Sequence, residues 1–194
     1  MARRKKGLNF TQKRKKISSS IVREIWTYIF LVLASILVAF VMVSSIGMKV
    51  SNLGSSMEPA LYNAQEVFVN RFVYKLLSPQ VGDVVVFYPN GNQNSHYYIK
   101  RVAARPGDTI SINNGSLYVN GSPYRAVSLD KIADVGILEN DLTLEENEYF
   151  VVGDNINNSE DSRSSNIGPI KKTNIVGKVW FHKSSTKSGM GFVK

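Results

Sequence analysis

Residues 109–121 read Thr-Ile-Ser-Ile-Asn-Asn-Gly-Ser-Leu-Tyr-Val-Asn-Gly. Two short β-branched and aromatic runs, 110–112 and 117–119, flank Asn113-Asn114-Gly115. Asn and Gly tolerate the positive φ of a tight turn, so the stretch predicts an antiparallel hairpin. Asn120-Gly121 marks another turn directly after it. Working outward, similar runs at 66–74, 83–88, 97–103, 148–152 and 175–181 are split by Gly, Asn and Pro and read as strands. Residues 126–147 are acidic and mixed, suiting one short helix or a loop. The expected fold class is mainly β: an antiparallel β domain over 49–108 and 149–183. Residues 109–148 are expected as a small inserted lobe and 184–194 as a C-terminal tail.

Upstream the pattern changes. Residues 25–48 carry no charge and are mostly strongly apolar, from Ile25 through Phe30, Leu37 and Phe40 to Met48. As a helix this run is about 36 Å long, enough for a hydrocarbon core of roughly 30 Å. Trp26 and Tyr28 stand at its entry, where amphipathic rings favour the interface. Ser45 and Gly47 resemble a leader cleavage site, but the apolar region of a cleavable leader is usually about 7–15 residues. The length therefore favours a permanent transmembrane anchor.

The 194 residues hold 24 Lys+Arg, 15 Asp+Glu, two His and no Cys. Without Cys there are no disulfides, thiolate metal sites or Cys nucleophile, and two histidines leave little for a metal centre. No cofactor is expected. Nine basic residues (Arg3, Arg4, Lys5, Lys6, Lys13, Arg14, Lys15, Lys16, Arg23) and no acidic ones lie before residue 24. The remainder balances, with 15 of each sign. The surplus thus belongs to one short arm, residues 1–24. Tied to a lipid surface, the arm reads as an orienting and lipid-contacting element and argues against a nucleic-acid partner. Only Lys49 follows closely after the span. The arm is then cytoplasmic and residues 50–194 lie outside the cell membrane.

Four segments carry polar chemistry: Gly54-Ser55-Ser56-Met57-Glu58-Pro59, Val81-Gly82-Asp83, Tyr97-Tyr98-Ile99-Lys100-Arg101-Val102 continuing to Pro106-Gly107-Asp108, and Gly153-Asp154-Asn155 continuing to Ser159-Glu160-Asp161-Ser162-Arg163. Strand alternation puts Tyr98, Lys100 and Val102 on one face and Ile99 and Arg101 on the other. If the first face is buried, desolvation favours the neutral amine of Lys100, which is a base. Moving a lysine from ~10.4 to near pH 7 requires about 4 kcal/mol, within what burial supplies. A solvated strand-edge lysine is the ordinary alternative. Ser56 is a turn residue unless a base lies within hydrogen-bond reach. His96 is the other nearby base, and spacing alone does not pair Ser56 with Lys100.

Taken in order behind a single span, these segments resemble the bacterial type I signal peptidases, in a Gram-positive-like short form. The resemblance covers the chain from the anchor to about Lys183 and implies a membrane-bound serine endopeptidase. Such an enzyme removes leader peptides from exported preproteins near the outer membrane face. It implies Ser56 as nucleophile and Lys100 as general base. It implies Ser159 as a serine that hydrogen-bonds and orients the lysine, and Asp161 with Arg163 as a structural pair bracing the site. The Ser56 backbone N–H becomes an oxyanion donor. Gly54 occupies a position where some relatives carry a second donor hydroxyl, so that donor is left open. Met57, Ile99 and Val102 are candidates for shallow substrate pockets that admit small side chains, with insertion into lipid an equal alternative for Met57.

Ala60 stands where the family usually has Thr, and Ile156 where it often has Arg. The partners implied are preproteins bearing signal peptides, pilin-like surface proteins among them, and the lipid bilayer. Two other readings share the anchor. One is a catalytically idle assembly factor or chaperone for pilin-like proteins, the other a tethered binding module. Retention of both Ser56 and Lys100 favours the enzyme.

Overall fold

The computed structural model describes residues 19–124 and 130–193. The eight basic residues from Arg3 to Lys16 and part of the acidic stretch fall outside that range. The chain divides into two units between Ser45 and Ile46.

The first unit is a helix, α1 (Ser19–Ile46). Its segment Ser19–Val41 is long and apolar enough to cross a membrane, and none of that segment is buried within the protein. A helix apolar on every side is suited to lipid. The helix stops earlier than expected: Gly47 opens a strand, β1 (Gly47–Ser51), in place of the last turn of the span. Met48 and Val50 are half-buried against a core cluster while Lys49 leans over the Phe68 ring, 5.6 Å from its centroid. This alternation is the strand period.

The second unit contains two antiparallel sheets. The further strands are β2 (Glu66–Asn70), β3 (Val84–Phe87), β4 (Tyr98–Ala104), β5 (Thr109–Asn113), β6 (Ser116–Val119), β7 (Ser122–Pro123), β8 (Leu142–Thr143), β9 (Glu148–Val152), β10 (Ile170–Lys171), β11 (Ile175–His182) and β12 (Gly191–Phe192). The larger sheet runs β1-β2-β11-β3-β4-β9-β10, with β12 on β11. The smaller runs β7-β6-β5-β8. The β5–β6 hairpin turns through Asn114 and Gly115, both at positive φ.

At its centre, β3 is an unbroken run of Val84-Val85-Val86-Phe87, every residue buried. Val84 and Val86 join Met57, Leu61, Val69 and Ile99 in one core cluster; Val85 and Phe87 join Val102, Tyr149 and Val151 in another. A strand covered on both faces loses the polar half of its alternation. Strand β4 lies beside it with Lys100 opposite Val85 and Arg101 opposite Val84. A third cluster mixes Ala104, Phe150 and Ile156 with Ile110, Leu117, Leu138 and Leu144, so the small sheet shares its core with the edge of the large one.

Two differences from the expected strands have simple causes. Strand β2 ends at Asn70 because the Asn70 side-chain oxygen accepts from the Phe72 and Val73 backbone N–H groups and starts a single helical turn, Val73–Leu76. Within the expected C-terminal tail the described residues return to the sheet: Phe192 pairs with Phe181, and the Val193 N–H donates to the Trp180 carbonyl at 3.1 Å. The described part of the acidic stretch forms a 3₁₀ turn, Gly136–Glu139, and β8.

Candidate active site

Beyond β1 the chain makes a loop over residues 52–65, held by a buried asparagine. The side-chain amide of Asn52 donates to the carbonyls of Gly54 (3.3 Å) and Tyr62 (3.0 Å), and the Gly54 N–H donates to Asn63 Oδ1 (2.9 Å). Gly54 sits at φ +84 with open space around it, so backbone conformation rather than crowding favours glycine. Met57 and Leu61 are fully buried and pin the loop to the core. Between these anchors Ser55 and Ser56 face an open cleft.

Lys100 reaches the same cleft from β4. Its residue exposure is 3%, and Nζ lies 2.6 Å from Ser56 Oγ. The Tyr98 ring covers the amine, its centroid 5.7 Å away. Among the described residues no carboxylate comes within ion-pair distance of Lys100. Burial pushes the amine down to about 8, against a smaller upward pull from Asp161 and Glu160. The free base thereby comes within reach near neutral pH. The hydrogen bond can run either way: the ammonium donates to the serine, while the neutral amine accepts its proton.

Arg101, next along the strand, is also buried but fully compensated. Its guanidinium donates two bonds of 2.7 Å to Asp154 and one of 2.8 Å to the Gly82 carbonyl. Burial alone would lower its affinity for the proton; Asp154 outweighs this and raises it. Asp161 and Arg163 form a second buried pair, Nε to Oδ1 at 2.8 Å. Asp161 also accepts the Gly153 N–H at 3.0 Å, and Arg163 donates to the Ile156 carbonyl. The pair therefore ties together the loop that faces Ser56.

That loop grips the serine turn directly. The Asn155 N–H donates to the Ser56 carbonyl at 3.0 Å, and its side chain to the Ser55 carbonyl at 3.3 Å. Asn158 donates to Ser55 Oγ at 2.6 Å. Any Cβ on Gly153 would collide with Ser159 Oγ and with the Ser56 carbonyl oxygen, so that glycine permits the close approach of the two loops.

The cleft beside Ser56 and Lys100 is about 530 Å³ and is lined by Leu53, Ser55, His96, Tyr97, Ile99, Asn158 and Glu160, among others. The Glu160 carboxylate is held at both oxygens, by Tyr98 OH (3.1 Å) and Asn166 Nδ2 (3.3 Å).

Of the residues singled out from the sequence, the structure brings Ser56, Lys100, Gly54 and Ile99 together at this cleft. Met57 and Val102 lie elsewhere: both are 0% exposed and packed in core clusters, because loop anchoring and strand burial claim them. The expected bond from Ser159 to Lys100 is not formed. Ser159 Oγ is buried and among the described residues has no hydrogen-bond partner, being packed against Gly153 while Lys100 engages Ser56. Asn155, Asn158 and Glu160 lie within residues 153–163, where nothing in their spacing marks them as contacts of the serine turn or of Lys100. Asn52 left no signal, since its partners are backbone carbonyls.

A buried amine joined to a serine hydroxyl in an open cleft is the equipment of a serine peptidase. The model of the signal peptidase family, peptidase S26, matches residues 25–182. The chain is 38% identical over 133 residues to signal peptidase I P of Bacillus subtilis subsp. natto, covering 64% of this chain and 70% of that one. The same figures hold for signal peptidase I S of Bacillus subtilis (strain 168). A crystal structure of a signal peptidase I from Enterococcus faecalis V583 shares 27% identity, with a TM-score of 0.41, over 53% of this chain and 97% of that chain. The chain belongs to the signal peptidase family of S26 peptidases. Its reaction is hydrolysis of a peptide bond, removing signal peptides from the preproteins that bear them.

Proposed function

We propose that Ser56 is the nucleophile and Lys100 the general base of this signal peptidase. The observation that carries the reading is the 2.6 Å contact between Ser56 Oγ and a lysine only 3% exposed and, among the described residues, without a carboxylate partner. In the forward step the neutral Lys100 amine takes the Ser56 proton as Oγ bonds to the scissile carbonyl carbon. The carbonyl π pair moves to oxygen, and the Ser56 N–H donates to it. The Lys100 ammonium then returns a proton to the leaving amine as the C–N bond breaks. Water attacks the resulting ester by the same route and frees Ser56.

The domain assignments follow the same reading. Residues 49–108 and 149–183 form the catalytic domain, 109–148 a lobe on it, and α1 the tether. Nine basic residues before the span and Lys49 alone just after it support a cytoplasmic N-terminus and a catalytic domain outside the cell membrane. Asp161 and Arg163 act as braces. Ile99 is the remaining candidate for a pocket accepting small side chains.

Purified protein incubated with a preprotein bearing a signal peptide tests this. Wild type yields a product whose N-terminal sequence begins just after the leader, and Ser56→Ala yields none. Near-normal processing by Ser56→Ala removes Ser56 from the mechanism.

A further inference from the structure

The transition state described above needs more than one donor for its oxyanion, and Gly54 has no side chain to supply it. Its N–H is already committed to Asn63. The neighbouring side-chain amides of Asn52 and Asn155 are directed at backbone carbonyls. Ser55 differs. Its Oγ accepts from Asn158 Nδ2 at 2.6 Å, which leaves the hydroxyl hydrogen free to point away from Asn158. Among the described residues that hydrogen meets no acceptor. Ser55 is half-buried and lines the same cleft as Ser56. Only Cβ, Cα and the carbonyl carbon separate its hydroxyl oxygen from the Ser56 nitrogen, so the two donors are neighbours at one wall of the cleft. Asn155 fixes the peptide between the two residues by bonding both of their carbonyls.

We propose that the Ser55 hydroxyl, oriented by Asn158, is the second oxyanion donor of this enzyme. The inference rests on Ser56 being the nucleophile. The substrate carbonyl oxygen, on becoming negative, accepts from Ser56 N–H and from Ser55 Oγ–H. No proton is transferred from Ser55, and Asn158 continues to donate to Ser55 Oγ throughout. The interaction strengthens as charge develops, so its loss appears in kcat and not in KM.

The test compares kcat and KM of Ser55→Ala, Ser55→Thr, Asn158→Ala and the double variant on one preprotein, with Ser56→Ala as reference. Removing one such donor lowers kcat by roughly a hundredfold or more. We expect that loss in Ser55→Ala with KM unchanged, and recovery of most of it in Ser55→Thr, which keeps a hydroxyl. Asn158→Ala has a smaller effect, and adding it to Ser55→Ala costs nothing further. The pH at which activity rises stays where it is, because Lys100 is untouched. The proposal is overturned if Ser55→Ala keeps kcat within threefold of wild type, or if its loss comes with a shifted pH profile, which would trace it to Lys100. A large loss in Asn158→Ala with none in Ser55→Ala likewise overturns it and makes the amide the donor. Cleavage by Ser56→Ala would remove the underlying reading as well. A dead Ser56→Ala beside a fully active Ser55→Ala removes this inference alone.

Discussion

Lys100 and Arg101 are neighbours on one strand, both buried, and the protein treats them oppositely. Arg101 receives a carboxylate with two matched bonds and keeps its charge. Lys100 receives a serine hydroxyl and an aromatic ring, and its affinity for the proton falls. Burial is common to both, so burial alone does not decide the direction of the shift; the presence or absence of a paired counter-charge does. The same contrast separates Lys100 from Arg163, whose partner Asp161 is entirely buried.

The comparison can be broken from the Arg101 side. Asp154→Ala leaves a buried guanidinium without its partner and should destabilise the domain by about 3–5 kcal/mol, read as a lowered Tm. Lys100→Met fills similar space, removes an uncompensated amine, and should leave Tm unchanged or raised. Equal destabilisation by the two would mean that Lys100 is compensated after all. A smaller effect sharpens the picture. Glu160 pulls the Lys100 proton affinity upward, so Glu160→Gln should move the rise of activity to lower pH. A shift to higher pH, or none, would detach Glu160 from the amine.

Much of this contrast was legible before the fold. Alternation along residues 97–103 already sends Lys100 and Arg101 to opposite sides. What it does not report is whether either side meets water. Both are covered, one of the cations by a partner 53 positions along the chain. The hairpin at Asn113-Asn114-Gly115 was readable because its turn chemistry is local. Strand β1 was not, because Met48 and Val50 continue the apolar character of the helix and only cross-strand pairing with Val69 and Val67 separates them from it. Met57 and Val102 show the same limit: both are apolar, one adjoining Ser56 and the other near Lys100 in sequence, but loop and sheet turn them into the core.

The pH dependence of kcat/KM tests the central claim most directly, since it reports ionisation in the free enzyme. On the proposed mechanism the neutral amine is the active form; since burial lowers its pKa, activity should climb with pH and level off above about 8. A profile flat from pH 6 to 10, or one still rising near the ordinary lysine value of ~10.4, would contradict a desolvated Lys100 acting as base.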